Sequence, residues 1–220
     1  MPSKAKLAFE ENRTDVTQLW AIHQEFAGGS PGRKRGVDVL NRAAMVFITA
    51  IWESFVEDLA TEAFEFLLAN APDASKIPTK VKDATTKAIF DQKDSRKVWD
   101  LADSGWKGIL QSHKAECLQR WLGNFNTPKA AQVDELYEAL LGIAGLSKNW
   151  HWQKMSADKA RSKLDEYITV RGSIAHRAKH QETVYKDWGT EFLGHVTSIV
   201  EKCDKVLGQH LESLTGKKPW

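Results

Sequence analysis

Residues 37–68 read VDVLNRAAMVFITAIWESFVEDLATEAFEFLL, and the fold class is indicated by the pattern of this stretch. Its apolar residues recur at steps of three and four, at Leu40, Ala44, Phe47, Ile48, Ile51, Phe55, Leu59, Ala63 and Phe66. That spacing places them on one face of an α-helix. A continuous helix over these residues would be about 48 Å long at ~1.5 Å per residue. We therefore expect it to be the central element of the fold.

Helical periodicity also dominates the sequence on both sides of this stretch. Residues 7–26 predict an earlier helix, which ends where the glycines and Pro31 of GGSPGRKRG (28–36) break the pattern. A less regular segment is expected from residue 78 to about 103, and residues 106–121 predict an amphipathic helix. No run of four or more residues alternates as a strand would.

Three further helices are predicted in the second half of the chain. Thr127-Pro128 is typical of a helix start, with an N-cap followed by proline at the first helical position. Ser156 is the candidate N-cap of a helix that runs to about residue 176, and a last helix is expected over about 182–214. No linker divides the sequence, so we expect an all-α protein with a single helical bundle over residues 1–220, with long core helices and an irregular middle segment.

Composition excludes several classes of protein. Apolar residues make up 42% and charged residues 27% of the 220, which argues against intrinsic disorder, and the formal charge of +2 is too small for coating nucleic acid by bulk charge. Cys117 and Cys203 are too few and too far apart for a disulfide framework or a four-cysteine zinc site, which favours a cytoplasmic location. We expect no signal peptide, and no membrane span over 43–69, because acidic residues interrupt that stretch.

The segment most informative about function is YITVRGSIAHR, residues 167–177. On a helix, Arg171 shares a stripe with apolar residues, and a charge in that position is unfavourable unless it is paired or faces a wet cleft. One interpretation is structural, with Arg171 bridged to a carboxylate of the long helix such as Asp58 or Glu62. The other interpretation is a functional arginine.

The spacing of Arg171 and His176 resembles the motif of the HEPN superfamily (higher eukaryotes and prokaryotes nucleotide-binding), in which an arginine is followed after four to six residues by a histidine. Residues 41–59 look like the first core helix of its RiboL-PSP-type branch, and the segments 125–129, 140–143 and 150–152 look like the stretch that leads into the motif helix. The resemblance covers most of residues 37–205.

This resemblance implies a metal-independent endoribonuclease that works in prokaryotic stress response or phage defence. Residue chemistry is consistent with that activity, because RNA supplies its own nucleophile, the 2′-hydroxyl. His176 can transfer the protons and Arg171 can hold the phosphate, so these are the expected catalytic residues. Arg177 and Lys179 would favour the neutral imidazole and attract the RNA backbone. Glu53 matches an acidic position common in this branch, but the helical pattern places it opposite the apolar stripe, in a supporting role.

Two positions depart from the family pattern. The residue after the arginine is often Asn, Asp or His in active HEPN nucleases, and here it is Gly172; Ser173 could supply the missing polar contact. Some HEPN toxins carry a tyrosine two residues after the histidine, and here that residue is Ala178, which disfavours a toxin of that type. Gly172 keeps open an alternative function, a non-catalytic HEPN-like module that binds nucleotide or RNA or serves as a scaffold in a defence complex.

The remaining predictions concern partners and cofactors. Arg33, Lys34 and Arg35 are candidates for contact with the RNA backbone, or are simply solvated. His176 and His180 have the spacing of two metal ligands, but no third ligand follows, so we expect neither a metal nor a cofactor. The expected partners are RNA and a second copy of the chain, in a homodimer with a composite active site. A defence-system partner protein of unknown identity is a further possibility.

Overall fold

The structure is a computed structural model that describes residues 1–27, 38–91, 96, 99, 101–123, 125–177 and 186–220. For residues 26–27, 88–91, 176–177 and 186 it describes the backbone alone. The predicted all-α class is confirmed, since these residues contain α-helices and short 3-10 turns but no strand, and Trp152 and Met155 form only an isolated bridge.

The long helix predicted from residues 37–68 is α2, Asp38–Asn70, and it is the centre of the fold. Before it, α1 spans Lys4–Ala27 and packs along it, while α6, α7 and α8 contact its other sides. By length and hydropathy α2 is the one helix of the described residues that could cross a membrane, with half of its most apolar window buried inside the protein. Its contacts on several sides are those of a core helix.

The middle of the chain is more helical than its sequence predicts. Residues Thr79–Asp91 form α3, so the expectation of a less regular stretch from residue 78 is wrong for its first half. The pattern there is weak because the side chains it buries include Val81 and the polar Thr85, whose hydroxyl donates to the Val81 carbonyl. Because threonine is polar, its burial adds nothing to the apolar spacing by which a helix is recognised in the sequence.

The single helix predicted over 106–121 is divided in two. Helix α4 spans Gly105–Ser112 and α5 spans Lys114–Leu122, with His113 between them. The His113 N–H donates to the Ile109 carbonyl, while its own carbonyl accepts from Cys117 N. The backbone hydrogen bonds are therefore satisfied across the break, and the apolar pattern continues through it.

The predicted start of α6 at Thr127-Pro128 is wrong by two residues. Helix α6 spans Ala130–Leu141, and Lys129 before it is extended. The N–H of Ala130 donates to the Asp165 carboxylate at 2.9 Å, and the Pro128 carbonyl accepts from Trp52 Nε1 at 2.9 Å. Side chains distant in sequence therefore supply the bonds at this helix start, instead of the local cap that the dipeptide predicts.

The last two helices form an antiparallel pair. Helix α7 spans Ala157–Arg177, and its Lys159 N–H donates to Ser156 Oγ at 3.4 Å, as expected of an N-cap. Helix α8 spans Lys186–Thr215. Tyr167 of α7 stacks on Phe192 of α8 with ring centroids 4.4 Å apart, while Ala160, near the start of α7, is bonded to His195. This direction carries the end of α7 toward the start of α8.

Candidate active site

Helix α7 presents the Arg171–His176 motif from a firmly packed base. Leu164, Ile168 and Ile174 are buried in the core around the motif arginine, and α7 lies directly against α2. A motif side chain on this helix is therefore held by packing on both sides of its turn, which limits the positions that it can adopt.

Arg171 is partly buried and incompletely satisfied. Its Nε atom is buried and has no hydrogen-bond partner among the described residues. Such an atom is rare in proteins, because a buried donor without a partner loses its hydration with nothing in return. A ligand carrying acceptor oxygens, such as a phosphate, would restore the missing bond.

The acidic neighbour of Arg171 is Glu53 on α2. Burial raises the pKa of the Glu53 carboxyl, and the positive charge of Arg171 opposes that rise. Burial also raises the pKa of Glu57, one turn further along α2, and the charges of Glu53 and Asp58 raise it more. Arg171 thus faces a surface of α2 where carboxylates are partly desolvated and repel each other.

The proposed structural partners of Arg171 are engaged elsewhere. The Glu62 carboxylate accepts hydrogen bonds from the N–H groups of Lys4 and Ala5, both at 3.1 Å, and so caps α1. Asp58 accepts from the Ser54 hydroxyl at 3.3 Å. No ion pair within 4 Å joins Arg171 to either carboxylate among the described residues, so the structural interpretation with Asp58 or Glu62 is wrong, and the carboxylate of the long helix beside Arg171 is Glu53. The helical pattern places Glu53 opposite the apolar stripe, in a supporting role. Since α2 is packed on several sides, that side of the helix also meets a neighbour.

The two residues after Arg171 differ in what they offer. A Cβ added to Gly172 would meet nothing within 4 Å, so this position borders open space. The Ser173 hydroxyl donates to the Val170 carbonyl of its own helix at 2.7 Å. With its proton used in this way, Ser173 offers a ligand only its lone pairs.

The remaining motif residues are described only in part. His176 and Arg177 belong to the last turn of α7 by their backbone, and their side chains lie outside the described residues. The candidates Lys179, His180, Arg33, Lys34 and Arg35 also lie outside them. The helices that bound these segments are described, and Gly189 of α8 lies against Trp20 of α1 and Ala44 of α2. The end of α1, the start of α2 and the start of α8 therefore meet at one end of the bundle, toward which α7 runs.

A small cleft of about 210 Å³ lies between α7 and α8, one turn from Arg171. Lys163, Tyr167 and Glu191 meet there: the Lys163 ammonium lies 3.1 Å from Glu191 Oε2 and 5.7 Å from the centroid of the Tyr167 ring. Sequence reasoning missed this group because its members come from two helices, and no local spacing joins residue 191 to residue 163.

The two tryptophans just before α7 pack against the core of the bundle. Trp150 is completely buried, and its indole N–H donates to Cys203 Sγ at 3.2 Å. Trp152 lies against the His195 ring, with centroids 5.3 Å apart. Trp99 is 80% exposed. The described residues contain no group of three or more His, Cys, Asp or Glu side chains that could hold a metal ion.

The comparisons with known proteins agree with this arrangement. The model of the RiboL-PSP-HEPN family matches residues 11–209, nearly the whole of the described bundle from α1 to α8. The chain therefore belongs to the RiboL-PSP-HEPN family. Membership indicates a domain of the nucleotide-binding or ribonuclease type. No curated protein and no solved structure was found to match the chain.

Proposed function

We propose that this protein is a metal-independent endoribonuclease in which Arg171 binds the scissile phosphate and His176 transfers protons. The observation that supports the proposal is the buried Nε of Arg171, which has no hydrogen-bond partner among the described residues. Arg171 also lies near the Glu53 carboxylate, but in the described part of the chain the two make no ion pair within 4 Å. A structural arginine has its buried donors hydrogen-bonded within the protein. An arginine that binds a phosphate has a donor without a partner until the phosphate binds.

The reaction that these residues serve is an internal transfer at phosphorus. The 2′-oxygen of the substrate attacks the adjacent phosphorus, the bond from phosphorus to the 5′-oxygen breaks, and a 2′,3′-cyclic phosphate remains. His176 accepts the proton of the 2′-hydroxyl, and a protonated group returns one to the departing 5′-oxygen. Arg171 donates to the non-bridging oxygens, where negative charge grows in the transition state. Glu53 supports Arg171 through its charge.

A second copy of the chain completes the site in this proposal. One motif supplies one histidine, whereas the reaction needs a base and an acid, and a two-fold dimer brings two motifs together. Light scattering at micromolar concentration should give twice the 24.8 kDa mass of one chain. A monomer that cleaves RNA at full rate would overturn the composite site.

The setting of the activity is part of the proposal as well. The protein acts in the cytoplasm of a prokaryote, in stress response or phage defence, on RNA and with a possible partner protein of the defence system. The basic residues Arg177, Lys179, Arg33, Lys34 and Arg35 contact the RNA backbone.

The experiment that tests the activity is incubation of the purified protein with labelled RNA in excess EDTA, followed by analysis of the product ends. We expect cleavage with 2′,3′-cyclic phosphate ends. Loss of activity with EDTA and its return with a divalent ion would contradict the proposal and favour a metal mechanism.

A second candidate function is a non-catalytic module that binds nucleotide or RNA, or that serves as a scaffold in a defence complex. Gly172 favours it, because the polar residue frequent after the motif arginine is absent and the space beside it is open. In that case RNA binds at the Arg171 site but stays intact in the same assay.

A further inference from the structure

At the far end of α2 from the motif lies a groove of about 690 Å³, formed where α3 begins and where α6 and α8 end. Lys76, Lys80 and Lys82 line it together with Glu138. Leu214, which is partly buried, contributes apolar surface to the same groove. We call these residues the lysine groove.

The lysines in this groove have little to neutralise them. Lys80 Nζ is 3.9 Å from Glu138 Oε2, at the outer limit of an ion pair between exposed groups, and Lys82 Nζ reaches the Ala74 carbonyl only at 3.5 Å. The Lys76 ammonium makes no hydrogen bond or ion pair with the other described residues. Asp73, close by in sequence, accepts from the Ser75 N–H at 2.8 Å, and after that hydrogen bond the positive charge of Lys76 also lowers the pKa of its carboxyl. Three ammonium groups therefore line the groove with the Glu138 carboxylate among them and the Asp73 carboxylate near Lys76.

The positive charge extends beyond the groove along the same end of the bundle. Lys217 Nζ donates to Asn70 Oδ1 at 3.1 Å, which places the residues after α8 beside the end of α2. The formal charge of the whole protein is only +2. A local cluster of lysines therefore favours a site for an anionic partner over a general contribution to solubility.

We propose that the lysine groove binds the phosphate backbone of an RNA strand at a distance from the motif, a statement that rests on RNA being the partner of this domain. Glu53, beside Arg171, and Asn70, beside Lys217, are seventeen residues apart on one helix, so the two regions are about 25 Å apart. A strand long enough to reach both is held more tightly than a short one, because its second contact is intramolecular. The groove thus selects for long RNA.

The test compares two triple variants of the full-length protein. Lys76→Gln, Lys80→Gln and Lys82→Gln together empty the groove of positive charge. Lys87→Gln, Lys159→Gln and Lys205→Gln together remove the same charge from exposed positions on three helices. The probe is a labelled 20-nucleotide RNA with 2′-O-methyl groups, which lacks the nucleophile, so binding is measured without cleavage. Fluorescence anisotropy gives Kd over a range of salt concentrations.

We expect the groove variant to bind the 20-mer at least about tenfold more weakly than the control variant at low salt. The slope of the logarithm of the binding constant against the logarithm of the salt concentration should be smaller in magnitude by about 2, since each of three phosphate contacts on a single strand contributes ~0.7. A tetranucleotide should bind the two variants equally. Equal affinities and slopes for the 20-mer would overturn the proposal, as would failure of the wild-type protein to bind RNA. Absence of cleavage with normal groove-dependent binding would instead count against the nuclease alone.

Discussion

Helices α6 and α7 both pack against α2, but they differ in whether their buried polar groups are hydrogen-bonded. Around α6 the polar side chains are bonded: Tyr137 Oη donates to the Val56 carbonyl at 2.9 Å, and the Asp134 carboxylate accepts from the N–H and hydroxyl of Ser147 at 2.7 and 2.6 Å. On α7, the buried Nε of Arg171 lacks a partner among the described residues. Buried polar groups with hydrogen-bond partners specify how helices pack, whereas a buried polar group without a partner is typical of a functional position.

The carboxylates show the same difference. Asp134 is engaged by two donors of one residue, while Glu53 is partly buried with its pKa raised, and only the charge of Arg171 works against the effect of burial. A protein selected for stability alone would not keep Glu53 and Arg171 in this state. In our proposal, the difference between α6 and α7 separates a structural region from a functional one, and variants of α2, α6 and α7 test that difference.

The largest effect should come from the motif histidine. His176→Ala should lower RNA cleavage by at least ~100-fold, the usual scale for removing a proton-transfer group. It should leave the melting temperature almost unchanged, because the residue lies in the last turn of α7, at the end of the helix. His151→Ala, at an exposed position in the loop before α7, is the control and should keep full activity. Equal activity of the two variants would contradict the assignment.

On the structural side, Asp134→Ala should lower the free energy of unfolding by about 2 kcal/mol, because it leaves the buried N–H and hydroxyl of Ser147 without an acceptor. Urea denaturation measures this change. The specific activity of the folded fraction should stay at the wild-type level. A large loss of activity in a fully folded Asp134→Ala protein would mean that α6 belongs to the functional region.

Glu53→Gln should stabilise the protein, with a dependence on pH. Since the pKa of Glu53 in the folded state is raised above the ordinary value of 4.5, its contribution to stability is present below that pH and is lost as pH rises through the folded pKa. The variant should therefore match wild type near pH 4 and exceed it at pH 7, by less than about 1 kcal/mol after solvent screening. Glu201→Gln is the charge-matched control.

The Glu53 experiment is sharpened by repeating it in the Arg171→Ala background. Arg171 lowers the pKa of Glu53, so its removal should widen the stability difference that Glu53→Gln makes at pH 7. An unchanged difference would mean that the two side chains do not sense each other, and Glu53 would lose its supporting role.

The smallest effect is expected at Gly172. Gly172→Ala should raise the free energy of unfolding by about 0.5–1 kcal/mol, since glycine inside a helix is unfavourable and the added methyl meets nothing within 4 Å. Gly194→Ala on α8 is the matched control, with equally open surroundings. Both should retain cleavage. Loss of cleavage in Gly172→Ala alone would show that the open space next to Arg171 receives the substrate.

Much of the fold could be predicted from the sequence because its signals are local. The apolar spacing along α2 and the Ser156 cap of α7 each lie within one helix, and both helices form as expected. Where the deciding contact comes from afar, prediction fails: the start of α6 depends on Asp165 and Trp52, and α3 buries a threonine. The sequence pattern has no access to such contacts.

The candidate site divides in the same way. Arg171 was identified by its position in an apolar stripe and by its motif, both of which are properties of one segment. The supporting role predicted for its neighbour Glu53 stays a prediction; a helical wheel places Glu53 opposite the apolar stripe because it assumes one buried side, whereas α2 meets helices on several. Lys76, Lys80 and Lys82 are close in sequence, but the groove that they line also needs Glu138 and Leu214, which only tertiary packing brings beside them.

The central claim is that Arg171 is kept for a ligand and not for the fold, and one paired measurement on Arg171→Ala tests it. Cleavage of RNA in EDTA and the free energy of unfolding are measured on the same preparation, with Arg171→Ala beside Arg161→Ala, which removes an arginine of the same helix from its ion pair with Asp158. We predict that Arg171→Ala unfolds close to wild type and loses at least ~100-fold in cleavage, while Arg161→Ala stays active. An Arg171→Ala protein destabilised by about 3 kcal/mol or more, beside a His176→Ala protein with full activity, would contradict the account.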